Sequence, residues 1–298
     1  MIAAVIYKTE EATKLCTAGE DKYSGYSIGG EVISNLGYAD DLAITNSDKQ
    51  KLQEFLDNFT KYASDVGLQI NIKKTKVMTT DKQDTSISNI LIDGKHIEQV
   101  NEFTYLGHRI SNQKNQLTTI KHRIALGWAA FNNKKHILKS PRIPIKVKTK
   151  VFNVYILPVL LYGMDCVTWT KLLLNHMEVF QNHAMRFMTG FRLLDRKPIK
   201  HLRKLTGLIP MEAHIRSKTL KLFGHTKRNN KGLSKICVEG IVEGVRSRGA
   251  PKRRWRDNIS EWTQMNWNNI NSICNNRNEW RKLSCIDTQS ATLRRSEE

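Results

Sequence analysis

The sequence predicts an α+β fold: an antiparallel sheet with packed helices over residues 1–112, an all-α segment over 113–226, and a basic arm with a last helical segment over 227–298. Three observations carry this reading. Between residues 24 and 112, short apolar runs alternate with turn residues, which is the pattern of paired strands. From residue 117 onward, apolar residues recur at three- and four-residue steps and strand patterns disappear. Charge is also unevenly spread: of a formal net charge of +20, residues 196–256 carry +15, and residues 103–164 carry +11 with no acid at all.

Residues 2–18 read as a short helix running into a polar loop around Gly19–Gly25. A strand with a Gly29-Gly30 turn then leads to Leu36-Gly37-Tyr38-Ala39-Asp40-Asp41-Leu42-Ala43-Ile44, two apolar strands joined by a tight turn that bears two adjacent carboxylates. Ser47 and Gln50 form a capping box, with Ser47 as the cap. The helix that follows places Leu52, Phe55, Phe59, Tyr62 and Val66 on its core face and stops at Gly67. Leu68, Ile70 and Ile72 alternate with polar residues and predict a half-buried strand ending beside Lys74. Asp93-Gly94 marks a further hairpin over Ile90–Ile97, continuing through Val100 to Phe103 and Leu106.

Helices are expected over Leu117–Lys139, over Ile145–Tyr162 with a bend at Pro158, over Leu172–Met188, and over Leu202–Phe223 with a break at Gly207–Pro210. Residues 227–256 read as a flexible basic arm that orders on nucleic acid, Trp255 being either a stacking or an anchoring ring; a nuclear localisation signal is an equally physical use of that cluster. Trp262, Trp267 and Trp280 are spaced as anchors of a last helical segment, and Arg294–Glu298 should be disordered.

Two carboxylates on one turn repel unless a divalent cation lies between them, and hard oxygen donors suit Mg²⁺ or Mn²⁺. Concentrated positive charge is the footprint of a polyanion, and the expected one is nucleic acid. Chemistry of both kinds points to phosphoryl transfer. Five widely spaced cysteines without a Cys-x-x-Cys pair argue for reduced thiols in an intracellular protein, nuclear or cytoplasmic, and against zinc. No 18-residue apolar run exists and no basic leader precedes the first apolar stretch, so neither a membrane span nor a signal peptide is expected.

At Tyr38-Ala39-Asp40-Asp41 the sequence resembles the reverse transcriptases of non-LTR (LINE-like) retrotransposons, of the endonuclease-encoding type, whose Tyr/Phe-Ala-Asp-Asp box marks the metal-binding hairpin of the polymerase palm. The likeness continues in order through Gly67-Leu68 with Asn71-Ile72-Lys73-Lys74-Thr75, then Phe103-Thr104-Tyr105-Leu106-Gly107. Beyond these, Tyr162-Gly163, Leu222-Phe223-Gly224-His225 and Arg248–Trp255 resemble the thumb and tail of these enzymes. The resemblance implies a partial palm over 1–112, a helical thumb or connector over 113–226, and RNA-directed DNA polymerisation with Mg²⁺ or Mn²⁺, deoxynucleoside triphosphates, an RNA template and a DNA primer.

Carried onto this chain, the resemblance makes Asp40 and Asp41 metal ligands and catalytic carboxylates, and puts Tyr38 and Ala39 at the cofactor. Lys74 becomes the cation on the nucleotide phosphates, and Tyr105, Leu106 and Gly107 the primer grip. Lys146, Lys148, Lys150, Arg248, Lys252, Arg253, Arg254, Trp255 and Arg256 are candidate nucleic-acid contacts. The family's two earlier motifs, which supply another metal-binding Asp and the nucleotide-pocket turn, have no counterpart ahead of Asp40; Asp21 lies in a polar loop and is not given that role. The expectation is a chain inactive alone, with an unpaired sheet edge beside the Asp-Asp hairpin open to a missing N-terminal half. The alternative is a non-catalytic nucleic-acid-binding remnant or domesticated protein.

Overall fold

In a computed structural model of the chain, the structure describes residues 2–7, 25–39, 41–79, 89–112, 116–229, 232–240 and 253–286. They fall into two units, one of 1–115 with 236–247, the other of 116–235 with 248–298.

The first unit is built on a five-stranded sheet. Its strands are β1 (Ile2–Tyr7), β4 (Asn35–Tyr38), β5 (Asp41–Asn46), β6 (Lys76–Thr79) and β9 (Glu98–Gln99), in the order β4-β5-β1-β6-β9. All neighbours are antiparallel except β6 and β9. Three two-residue hairpins join it: β2 (Tyr26–Ile28) to β3 (Glu31–Ile33), β7 (Leu91–Ile92) to β8 (Lys95–His96), and β10 (Glu102–Tyr105) to β11 (His108–Ser111). Gly29-Gly30 and Asp93-Gly94 adopt positive φ at both turn residues, as this turn class demands.

Helix α1 (Lys49–Asp65) lays Leu52, Phe55, Leu56, Phe59 and Ala63 against Leu42 and Ile44 of β5 and Val77 of β6, all buried. The Gln53 amide ties it to β7, donating to the Leu91 carbonyl at 2.8 Å and accepting from the Leu91 N–H at 2.9 Å. Its cap is Asp48, which accepts from the Gln50 N–H at 2.7 Å, one residue beyond the expected Ser47. Tyr62 and Val66, expected in the core, are exposed, because Leu56 and Ala63 fill the stripe instead.

Two expectations are corrected outright. Residues 2–7 form a strand rather than the start of a helix, and residues 8–18 lie outside the described residues. Strand pairing wins because β1 takes six register partners on β5 and four on β6, a backbone gain that one helical turn of the same residues does not offer. By the same pairing β5 has neighbours on both sides, and among the described residues the open edge of the Asp-Asp hairpin lies on β4, the first strand of the sheet. Residues 68–72 form no strand; Leu68, Ile70 and Ile72 pack half-buried on the core from an irregular segment that ends in a turn, and the ladder begins only at Lys76.

The second unit is helical throughout its described residues. In chain order it contains α2 (Gln116–Asn133), α3 (Lys135–Leu138), α4 (Ile145–Val151), a π-helical stretch (Phe152–Ile156), α5 (Leu157–Leu161), α6 (Lys171–Thr189), α7 (Ile199–Thr206) and α8 (Met211–Arg228). After α9 (Leu233–Glu239), which the division splits between the units, come α10 (Trp255–Thr263), α11 (Trp267–Asn275) and α12 (Arg277–Ser284). Pro158 has no N–H for the carbonyl four residues back, and the chain absorbs this by widening to π geometry just ahead of it. Helix α6 starts at Thr170, whose hydroxyl accepts from the Leu173 N–H, and ends at Gly190 with φ +80°. Its core of Ile120, Phe131, Phe152, Trp169, Met177, Phe180 and Met185 is closed by Trp262. The Trp280 indole donates to the Leu220 carbonyl at 2.8 Å and lies directly over Gly224. No described helix is long and apolar enough to cross a membrane.

Candidate functional site

The Asp-Asp turn closes β4 and β5. Tyr38 pairs with Asp41 across a tight loop that begins at Ala39. Ala39 takes φ +52°, in keeping with such a loop, and Asp40 lies outside the described residues. Tyr38 is 66 % exposed and Asp41 half-buried. Since Leu42 and Ile44 face α1, alternation turns Asp41 to the opposite face of the sheet.

Tyr105 reaches that hairpin from 69 residues away. Its hydroxyl donates to the Leu36 carbonyl at 3.1 Å. Burial, and next the negative charge of Asp41, push the phenol above its ordinary value of 10.0, so it stays a neutral donor. Leu106 and Gly107 complete the adjoining turn with φ of +47° and +74°. Glycine adopts this conformation freely, whereas Leu106 carries roughly 1–2 kcal/mol of strain. Strain of this kind persists where the surroundings enforce it and clusters at working sites.

Lys74 is exposed in the turn before β6. Its N–H donates to the Asn71 carbonyl at 3.1 Å, closing a turn, and the β1–β6 ladder stops at Val5↔Lys76. Since Lys76 pairs with Val5 and Asp41 with Tyr7, the start of β6, with Lys74 just ahead of it, lies toward the same end of the sheet as Asp41. Asp41 supplies a hard oxygen donor of the kind Mg²⁺ or Mn²⁺ takes. Among the described residues no three of His, Cys, Asp and Glu gather at one point, and β1, the strand beside Asp41, carries no acid in Ile-Ala-Ala-Val-Ile-Tyr.

In the second unit the basic candidates separate. Lys146 and Lys150 are exposed one turn apart on α4. Lys148 is a correction: it is buried, its ammonium donates to the Met188 carbonyl at 2.7 Å, and burial lowers its pKa. Lys148 falls about 200° round the helix from its two neighbours, on the side of Ile145 and Phe152. Arg248 and Lys252 lie outside the described residues. Arg253 is paired with Glu261, and the Arg254 N–H donates to Asp257 at 2.7 Å, starting α10. Trp255 is an anchor rather than a stacking platform: its indole donates to the Asp165 carbonyl at 2.8 Å and its ring packs 6.0 Å from Phe223. The exposed Arg256 guanidinium lies 5.8 Å from the Trp267 ring centre.

Sequence reasoning missed a groove of about 460 Å³ lined by Trp128, Phe131, Asn132, Lys139, His183 and Phe187. The signal was Phe187, an aromatic seven residues after Phe180 that helical spacing puts at the margin of the buried face of α6 formed by Met177, Phe180, Ala184 and Met188.

Residues 24–110 match the family model described as reverse transcriptase (RNA-dependent DNA polymerase). The chain is 24 % identical over 246 residues to a transposon-derived protein of Caenorhabditis elegans, covering 80 % of each. It is 28 % identical over 166 residues to the RNA-directed DNA polymerase from mobile element jockey of Drosophila melanogaster, a match covering 51 % of this chain and 18 % of that polymerase.

Proposed function

Since the chain carries reverse transcriptase sequence of the non-LTR retrotransposon kind, we propose that its first unit is part of a polymerase palm and its second a nucleic-acid-binding thumb. The observation that carries the reading is the bond from Tyr105 to Leu36, which couples the Tyr-Leu-Gly turn to the Asp-Asp hairpin. A primer terminus held on Leu106 and Gly107 lies, on this reading, beside the carboxylates that handle the incoming nucleotide.

Asp40 and Asp41 would hold a divalent ion, which when bound activates the primer hydroxyl and neutralises the triphosphate. The rest is positioning by the chain itself. The neutral Tyr105 phenol fixes the grip turn without adding a second negative charge beside Asp41. Lys74, at the same sheet end, offers its ammonium to the leaving phosphates. Lys146 and Lys150 contact the backbone of the duplex, and Arg256 extends that surface. These phosphate contacts carry no base information, so binding is insensitive to sequence and falls with salt. The basic cluster also suits nuclear entry.

One observation favours a chain that binds nucleic acid without extending a primer. Two-metal transfer needs carboxylates from more than one strand, and the strand paired with Asp41 has none. The test is extension of an RNA-templated DNA primer by purified 1–298 with Mg²⁺, beside Asp40→Ala, together with binding of the same duplex against salt. Binding without incorporation is expected. Incorporation by the parent that is lost in Asp40→Ala refutes the inactive reading; absence of binding at low salt refutes the whole assignment.

A further inference from the structure

We propose that the groove between α2 and α6 is a subsite for one unpaired nucleobase of a single strand. The proposal deepens, and rests on, the nucleic-acid-binding reading above. Trp128 stands edge-on to Phe131 at 5.5 Å and to Phe187 at 5.8 Å, and Phe131 and Phe187 are 6.0 Å apart, so three rings wall one space. Phe187 is 43 % exposed, so this space opens to solvent. Its volume of about 460 Å³ falls in the range of small-molecule sites.

An exposed phenylalanine by itself is ordinary. What distinguishes this one is the Lys139 ammonium, 4.1 Å from the ring centre. The cation marks a π-face reachable from water, and Lys139 is an exposed residue at the end of α3 whose long stem lets it swing aside. A base stacked on Phe187 takes the ammonium's place, and the ammonium moves a few ångströms to the adjoining phosphate. Asn132 and His183, both exposed at the rim, present donors and acceptors to the edge of the base.

Charge selects a nucleotide over an uncharged aromatic ligand. The groove's Trp128, Phe131, Asn132 and Lys139 belong to residues 116–139, which hold Lys121, Lys134, Lys135, Lys139 and a buried Arg123 and no acid. An aromatic slot beside exposed cations is the arrangement that holds single strands, bases on rings and phosphates on cations. RNA and DNA share this chemistry.

The experiment measures binding of the full chain to single strands of about 12 nucleotides, each as RNA and as DNA, and each with intact bases and with an abasic backbone. The parent should bind intact strands more tightly than abasic ones. Phe187→Ala should weaken the intact strand about 5- to 150-fold, the equivalent of one stacked base, and leave the abasic strand within about twofold. Phe187→Tyr, which keeps the ring, should restore binding, and the tighter of RNA and DNA identifies the strand. Equal affinity of the parent for intact and abasic strands, or equal losses on both in Phe187→Ala, overturns the subsite while leaving nucleic-acid binding intact. Failure of the parent to bind either strand at low salt refutes both.

Discussion

Replacing Gly224 by alanine tests why a glycine interrupts α8 in the Leu-Phe-Gly-His stretch. A Cβ built there lies 2.2 Å from the Trp280 indole nitrogen and 2.3 Å from its neighbouring ring carbon. Trp280 is 2 % exposed, so the ring has little room to retreat. Overpacking costs about 1–3 kcal/mol. Moving the ring also breaks its 2.8 Å bond to the Leu220 carbonyl, a further cost of about 1–3 kcal/mol if donor and acceptor stay buried. Against this, alanine is worth about 1 kcal/mol over glycine inside a helix. The net is a loss of about 1–5 kcal/mol, and its midpoint of about 3 kcal/mol lowers the melting temperature by roughly 6–12 °C. Thermal unfolding followed by tryptophan fluorescence measures it. In a Trp280→Leu background the same substitution should be neutral or stabilising. A variant as stable as the parent, or an equal cost in both backgrounds, refutes the argument.

Lys148→Met should remove a rise of stability with pH. The folded-state pKa lies below the ordinary lysine value of 10.5, so the buried cation opposes folding at neutral pH, and the opposition lifts as pH climbs from the folded value toward 10.5. Denaturant melts across that window should be steeper in pH for the parent, and the salt slope of nucleic-acid binding should be the same in both; a Lys148→Met protein that loses salt-dependent affinity would return this residue to the phosphate surface. Leu106→Asn should stabilise the β10–β11 hairpin by about 1 kcal/mol, since asparagine tolerates the left-handed conformation better, and should weaken primer-template binding if the strain serves the grip. A less stable protein with unchanged binding counts against a strained grip.

What the sequence determined by itself is what short-range physics encodes. Thr170 and Gly190 delimit α6 because a hydroxyl cap and a left-handed glycine act on the turn they adjoin. Asp93-Gly94 and Gly29-Gly30 fold their hairpins because positive φ is a property of those residues. The side of Lys148 was also legible, since helical periodicity sets it with Ile145 and Phe152 and apart from Lys146 and Lys150.

Tertiary structure alone decided the rest. Ile-Ala-Ala-Val-Ile-Tyr fits a helix or a strand, and its place between β5 and β6 settled the matter through backbone partners far along the chain. Leu68, Ile70 and Ile72 have the alternation of a strand and bury as one would, but no neighbouring strand pairs with them. The pairing of Tyr105 with Leu36, the anchoring of Trp255 on Asp165 and the fit of Trp280 over Gly224 join residues 56 to 90 positions apart. Such contacts are specified by the packing of whole elements, a cooperative property that no local window of sequence contains.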